Sequence, residues 1–157
     1  MVAFQAGKIS RSGAVFAAER DIFAVYLIGS QQELGWKYLC GVKFEPIEGA
    51  DLDVGVLLRN WDPMQDAFSQ YGRFSLLIDA LFEQFHIDLV ILNEAPTLVA
   101  AEAISGIAIH RRSEDMEEID QWENMILAKT PDLRYMARKS LDDFLKAAQD
   151  GYRSVEL

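Results

Sequence analysis

Three short strand-like runs, each bounded by a turn signal, restrict this chain to folds built around a small sheet. They are Phe23–Ile28, closed by Gly29-Ser30, then Asp51–Leu58, and then Ile87–Leu92. All are rich in branched and aromatic residues and too short for a buried helix. Between them the apolar period changes from two to about 3.6. Tyr71, Phe74, Ile78, Leu81 and Phe85 recur at spacings of three and four, which predicts a helix with one core-facing stripe. Asp62 and Pro63 supply its cap and its first turn. The changing period predicts an α/β (α+β) domain, a small mixed sheet flanked by helices.

The other segments fit that plan, except that residues 31–50 are the least readable part of the chain. Residues 11–20 read as a weak helix or an arm. Leu39–Phe44 is a candidate additional strand, and Glu45–Gly49 a turn. Ile87–Leu92 is almost wholly apolar and so predicts a central strand covered on both faces. Pro96–Ile104 predicts a short helix stopped by Ser105-Gly106, with a short strand over Ile107–His110. Two helices are expected to close the chain. One starts at Ser113 and turns Met116, Ile119, Trp122 and Ile126 the same way; the other starts at Thr130-Pro131 and stops at Gly151. With no repeat or linker, residues 1–157 form one domain, a core over about 20–112 and a helical tail over 113–151.

Composition narrows the function classes. A chain of 157 residues buries a sizeable core without staples. Cys40 is the only cysteine, which excludes an internal disulfide and argues against a Cys-rich zinc site. A formal net charge of −10 repels a phosphate backbone at long range, so direct nucleic-acid binding is not expected. No apolar run approaches the ~20 residues of a membrane span. Met1–Arg11 lacks the order of a secretion signal, so the expected location is the cytoplasm.

Five residues stand out chemically. Asp51 and Asp53 lie two apart on an expected strand and project from one face. Asp88 opens the next strand, and if the two strands are neighbours, three carboxylates converge. Their repulsion would be relieved by a hard divalent cation, for which magnesium with phosphate oxygens is suited. The bland alternative has Asp51 at a turn and Asp53 facing solvent. Gly29 lets the backbone turn tightly at the end of a buried strand, and Ser30 adds a hydroxyl. A helix starting directly afterwards would present N–H groups to an anion.

In this order the residues resemble a family. Val25–Ser30, Ala50–Leu58 and Ile87–Leu92, with the stretches from Asn93 to Leu98 and from Glu102 to His110, look like the minimal nucleotidyltransferases of the polymerase-β-like superfamily. The resemblance covers roughly residues 20–112. It implies a nucleotidyltransferase-like fold and magnesium-dependent transfer of a nucleoside monophosphate, AMP from ATP, to a hydroxyl. It also implies a helical HEPN-type partner, with this chain as antitoxin of a toxin–antitoxin pair, and an oligomeric assembly. Gly29 and Ser30 would hold the triphosphate. Asp51, Asp53 and Asp88 would bind magnesium, and Asp88 would help deprotonate the acceptor. The family usually carries a basic residue soon after Gly-Ser, where this chain has Gln31-Gln-Glu-Leu-Gly35, and twenty residues separate Ser30 from Asp51. Those departures leave a second reading, a catalytically degenerate member acting only as a partner-binding module.

Other residues have milder expectations. His86 reads as a strand-edge histidine, or else one that orients a substrate, and His110, Arg111 and Arg112 as a solvated turn, or else as positive charge for a nucleotide or an acidic partner. The six acids from Glu114 to Glu123 read as a wet helix face, or else as a surface for a basic partner. Trp36 and Tyr38 are candidates for stacking on a nucleobase. Cys40 has no base nearby in sequence, so it is not expected to be a nucleophile.

Overall fold

The computed structural model describes residues 6–43, 45, 51–66 and 68–155. Four strands, β1 (Ile22–Ile28), β2 (Asp51–Leu58), β3 (His86–Ile91) and β4 (Ile107–Arg111), form one sheet in the order β3-β2-β1-β4. β1 runs antiparallel to β2 and β4, whereas β2 and β3 are parallel. The helices are α1 (Ala6–Ala18), α2 (Gln32–Leu39), α3 (Pro63–Asp66), α4 (Ser69–Leu81), α5 (Thr97–Ser105) and α6 (Met116–Val155). This is the mixed sheet flanked by helices that the apolar periods imply.

Ala24–Ile28 are all buried because β1 is covered on both faces. Val25 and Leu27 enter one core with Phe16, Tyr38, Leu52, Val54, Phe74 and Ile78, which brings α1, α2 and α4 onto that face. Ala24, Tyr26 and Ile28 enter the other with Leu57, Ala103 and Ile119, beneath α5 and α6. The strand period of two thus divides the apolar residues between two layers. The Tyr26 hydroxyl donates to Glu123 Oε1 at 2.6 Å, which ties β1 to α6. No helix among the described residues is long and apolar enough to cross a membrane.

Several expectations need correction. β3 is an edge strand: His86 and Asp88 are exposed, and only Leu89 and Ile91 are fully buried. Apolar content reported that it packs on α4, not where it lies in the sheet. The stripe of α4 is shorter than expected, since the helix ends at Leu81 and Phe85 lies beyond it. Tyr71 is 41% exposed, with its hydroxyl donating to the Leu89 carbonyl at 3.3 Å. Asp62 does cap, accepting from the Met64 N–H at 2.9 Å, but the helix it opens is only α3. Leu39 ends α2, and residues 40–43 form no strand. The rest of the expected strand and turn, Glu45 apart, lies outside the described residues.

The expected pair of terminal helices is one helix, with a short 3₁₀ turn at Ser113–Asp115 ahead of it. Pro131 lies inside it and Gly151 does not stop it. The Thr130 hydroxyl donates back to the Ile126 carbonyl at 2.7 Å instead of capping a new turn, so Thr130-Pro131 continues the helix. Met116, Ile119, Trp122 and Ile126 do face the body of the domain.

Arg112 is not in a solvated turn. It is 7% exposed, and its guanidinium donates to the carbonyls of Ile22 (3.0 Å), Phe16 (2.9 Å) and Glu19 (2.7 Å). These include carbonyls that the end of α1 leaves without helical partners. Nor is the acidic run simply wet. Asp115 pairs with Arg59 at 2.5 Å, and Arg111 bridges Asp120 (2.6 Å) and Glu123 (3.2 Å). Removing Arg112 should orphan several buried carbonyls. Arg112→Ala is expected to cost roughly 3 kcal/mol in urea unfolding. Arg112→Lys should rescue little of that loss, because one ammonium cannot reach carbonyls that lie in several directions.

Candidate functional site

The sheet register gathers the singled-out residues at one edge. Ile28, at the end of β1, pairs with Asp53 near the start of antiparallel β2. Across the parallel pair, Asp53 stands opposite Asp88, and Asp51 opposite His86. Residues paired across strands share a face, as do residues two apart along one. Asp51, Asp53, His86 and Asp88 therefore form a two-by-two patch, with strands about 4.8 Å apart and successive same-side residues about 6.7 Å apart along each. The patch is on the face that carries Leu57 and, farther along, the α5–α6 layer.

Gly29 carries the chain out of β1 with φ at 79°. A Cβ at that position would stand 2.8 Å from Asp53 Oδ2, so glycine is required both by the left-handed backbone and by the carboxylate beside it. Ser30 follows, exposed, and α2 begins two residues later with no side-chain cap at its start. The bend is therefore present and touches the acidic patch, and the helix that the sequence left open after it is supplied by α2. The first turn of α2 carries Glu33; its basic residue, Lys37, is in the last turn.

The electrostatics of the patch centre on Asp53. Partial burial raises its pKa above the ordinary aspartate value, and repulsion from Asp88 and then Asp51 adds to the rise. His86 Nδ1 lies 2.8 Å from Asp51 Oδ1 and donates to that carboxylate. Three hard oxygen donors, one of them disfavoured as an anion, suit a divalent cation in chemistry. They do not enclose one as they stand: among the described residues, no group of three or more His, Cys, Asp or Glu side chains is arranged to hold a metal ion. Asp51 is turned onto His86.

His86 belongs to this patch, although its sequence favours a strand-edge histidine without a role. Its signal was present in the spacing His86-x-Asp88, which repeats Asp51-x-Asp53 on the neighbouring strand. Tyr38, by contrast, is not available for base stacking. It is 6% exposed, packed against Phe82 and Phe85 with the Lys8 ammonium 3.8 Å over its ring. Trp36 is 39% exposed and keeps an accessible face. His110 is half-buried against Phe16, and burial, with Arg112 nearby, holds its pKa below the usual histidine value. Residues 46–50, leading into Asp51, lie outside the described residues. A hollow bounded by Lys8, Arg11, Tyr38, Leu81 and Gln84, and another bounded by Arg20, Arg59, Arg112 and Asp115, both lie away from the acids.

No protein-family model matches the chain, and no curated protein matches it by sequence. Solved structures do. The chain is similar to one in a mutant MntA–HpeT toxin–antitoxin complex, with a TM-score of 0.59 at 14% identity over 87% of this chain and 98% of that one. It is also similar to one in a complex of a tri-AMPylated Shewanella oneidensis HEPN toxin with an MNT antitoxin, with a TM-score of 0.57 at 14% identity over 90% and 98% of the two chains. A toxin–antitoxin structure with AMP-PNP gives a TM-score of 0.55 at 16% identity over 88% and 97%. At such identities the likeness establishes a shared nucleotidyltransferase-like fold.

The raised pKa of Asp53 has a stability consequence. A carboxyl that binds its proton more tightly folded than unfolded makes the fold lose stability as pH rises through its titration. Asp53→Asn should therefore unfold at higher urea than wild type at pH 7, with the advantage shrinking toward zero once both states are protonated in strong acid. An Asn variant less stable than wild type at pH 7 would contradict the repulsion described for this patch.

Proposed function

We propose that the chain is a magnesium-dependent nucleotidyltransferase that moves AMP from ATP to a hydroxyl on a helical HEPN-type partner, as antitoxin of a toxin–antitoxin pair. The carrying observation is the contact between the Gly29 bend and the Asp53 carboxylate, with Asp88 in register across the next strand. It puts a tight backbone turn and hard oxygen donors at one sheet edge. That is the juxtaposition needed to hold a triphosphate beside oxygen donors for the cation that would polarise it. The similarity to MNT-fold chains, one of them in a complex with an AMPylated HEPN toxin, supports the choice of nucleotide and partner.

In this reading the Gly29–Ser30 turn and the start of α2 hold the phosphates through backbone N–H groups and the Ser30 hydroxyl. Asp51, Asp53 and Asp88 would hold magnesium. When bound, it neutralises the phosphate charge and steadies the attacking and leaving oxygens. The acceptor oxygen forms a bond to the α-phosphorus as the bond to pyrophosphate breaks, and Asp88 receives the acceptor proton. Binding requires Asp51 to turn away from His86, a side-chain rotation open to an exposed residue at a strand start. Trp36 is close enough in sequence to the turn to be tested as a base-stacking residue.

A second reading, partner binding without catalysis, draws on two observations. Asp51 is held by His86, and an acid, Glu33, occupies the first turn of α2. Calorimetry with ATP and magnesium separates the readings. Wild type should bind the pair, and Asp51→Asn with Asp53→Asn should weaken binding at least about tenfold, the loss of more than 1.4 kcal/mol. Labelled AMP should appear on a co-expressed HEPN-type protein with wild type only. Unchanged co-purification after alanine at all three aspartates, with no nucleotide bound or transferred by wild type, would leave only the binding module.

A further inference from the structure

Three aspartates leave one corner of the two-by-two patch over, and His86 occupies it. It stands on β3 opposite Asp51, on the same face as Asp53 and Asp88. Its side chain is 81% exposed, and the contact with Asp51 is its one side-chain hydrogen bond to the described residues. Nδ1 lies 2.8 Å from Asp51 Oδ1. Two donors at right angles on bonds of about 2.1 Å stand about 3.0 Å apart, so this pair already has the spacing of neighbouring ligands on one small cation.

The dimensions of the patch agree. With strands about 4.8 Å apart and same-side residues about 6.7 Å apart, its centre lies about 4 Å from every corner in the plane of the sheet. A side-chain arm and a bond of about 2.1 Å span that distance from any of the four. Charge sets His86 apart from its neighbours. Asp53 is already repelled by Asp88 and Asp51, and a fourth carboxylate would add to that repulsion. A neutral imidazole brings a lone pair and no charge. When Asp51 turns to the cation, Nδ1 loses its partner and the exposed ring is free to follow. The proton that Nδ1 donates in the metal-free chain then sits on Nε2.

We propose that His86 is the fourth protein ligand of this cation, binding through Nδ1, and that it makes the site favour a divalent transition ion such as manganese over magnesium. The inference rests on the cation site of the proposed function and adds a preference among ions to it. Magnesium is hard and gives up water reluctantly, so it gains little from a nitrogen and is held by the carboxylates. Imidazole suits transition ions better. The pattern Asp51-x-Asp53 beside His86-x-Asp88 thus supplies three oxygens and one nitrogen. A histidine that only held Asp51 back would act differently. Its loss would change the affinity for both ions by the same factor, because the same carboxylate is released to each.

The test uses the full chain without a histidine tag, wild type against His86→Ala, with manganese or magnesium added at one fixed pH. His86 is exposed, and circular dichroism checks that the variant stays folded. In calorimetry the ratio of manganese to magnesium affinity should fall roughly tenfold in His86→Ala. Pulsed electron paramagnetic resonance of the manganese-loaded wild type should show coupling to an imidazole nitrogen, and His86→Ala should lack it. The other histidine, His110, is packed against Phe16 and lies outside the patch. Manganese bound without nitrogen coupling would overturn the inference and leave the three-aspartate site standing. So would coupling that survives His86→Ala, or an affinity ratio that the substitution leaves unchanged. Failure of wild type to bind either ion, alone or with inorganic triphosphate, would remove the cation site of the proposed function and this ligand with it.

Discussion

Asp53 stands between Ile28 on one side and Asp88 on the other, and that single row of partners determines what this edge of the sheet can do. A strand that slipped by one residue would exchange its two faces. It would drive Asp51 and Asp53 into the core lined by Phe74 and Ile78 and lift Leu52 and Val54 out of it. The two cores therefore fix the register: Leu52, Val54 and Val56 are wholly buried on one side and Leu57 is buried on the other. The position of the acids is thus a by-product of apolar packing several residues away. Gly29 completes the arrangement, since any side chain there would collide with Asp53.

The rest of the domain supports this edge from a distance. Arg112 gathers the carbonyls at the end of α1, while Tyr26, Glu123 and Arg111 join β1 and β4 to α6. Polar groups buried this way are stable because their partners are present, and their loss is costly for the same reason. At the edge itself the balance is reversed. Asp53 is partly buried among like charges, an arrangement that costs stability. His86 relieves part of this by donating to Asp51.

Much of the fold was legible because strand and helix periods are local. The three strand runs, the bend at Gly29 and the inward face of the start of α6 all follow from residue spacing, whereas α2, in the poorly readable stretch after Ser30, does not. Features that depend on what arrives from elsewhere were not legible. The apolar run at Ile87–Leu92 reports burial by α4 and is silent on whether a fourth strand covers its far side, so an edge strand read as a central one. Thr130-Pro131 is a helix start by composition, yet the Thr130 hydroxyl bonds back to Ile126. Arg112 looked solvated because the carbonyls it satisfies lie about ninety residues earlier in the chain. At the site, the spacing of Asp51, Asp53 and Asp88 was readable, but the engagement of Asp51 by His86 needed the parallel register of β2 and β3.

A likeness of fold at 14–16% identity to MNT-type chains and a row of acids beside a glycine bend make one account. In that account the repulsion among the three aspartates is resolved by a cation that also holds the phosphates of a nucleotide. Its most direct test is a crystal of the chain grown with manganese and a non-hydrolysable ATP analogue, read by the anomalous signal of the metal. The account predicts manganese between Asp51, Asp53 and Asp88, with Asp51 released from His86 and phosphate oxygens against Gly29 and Ser30. Nucleotide bound at another face, or an edge empty of metal with Asp51 still on His86 under saturating manganese, would contradict it.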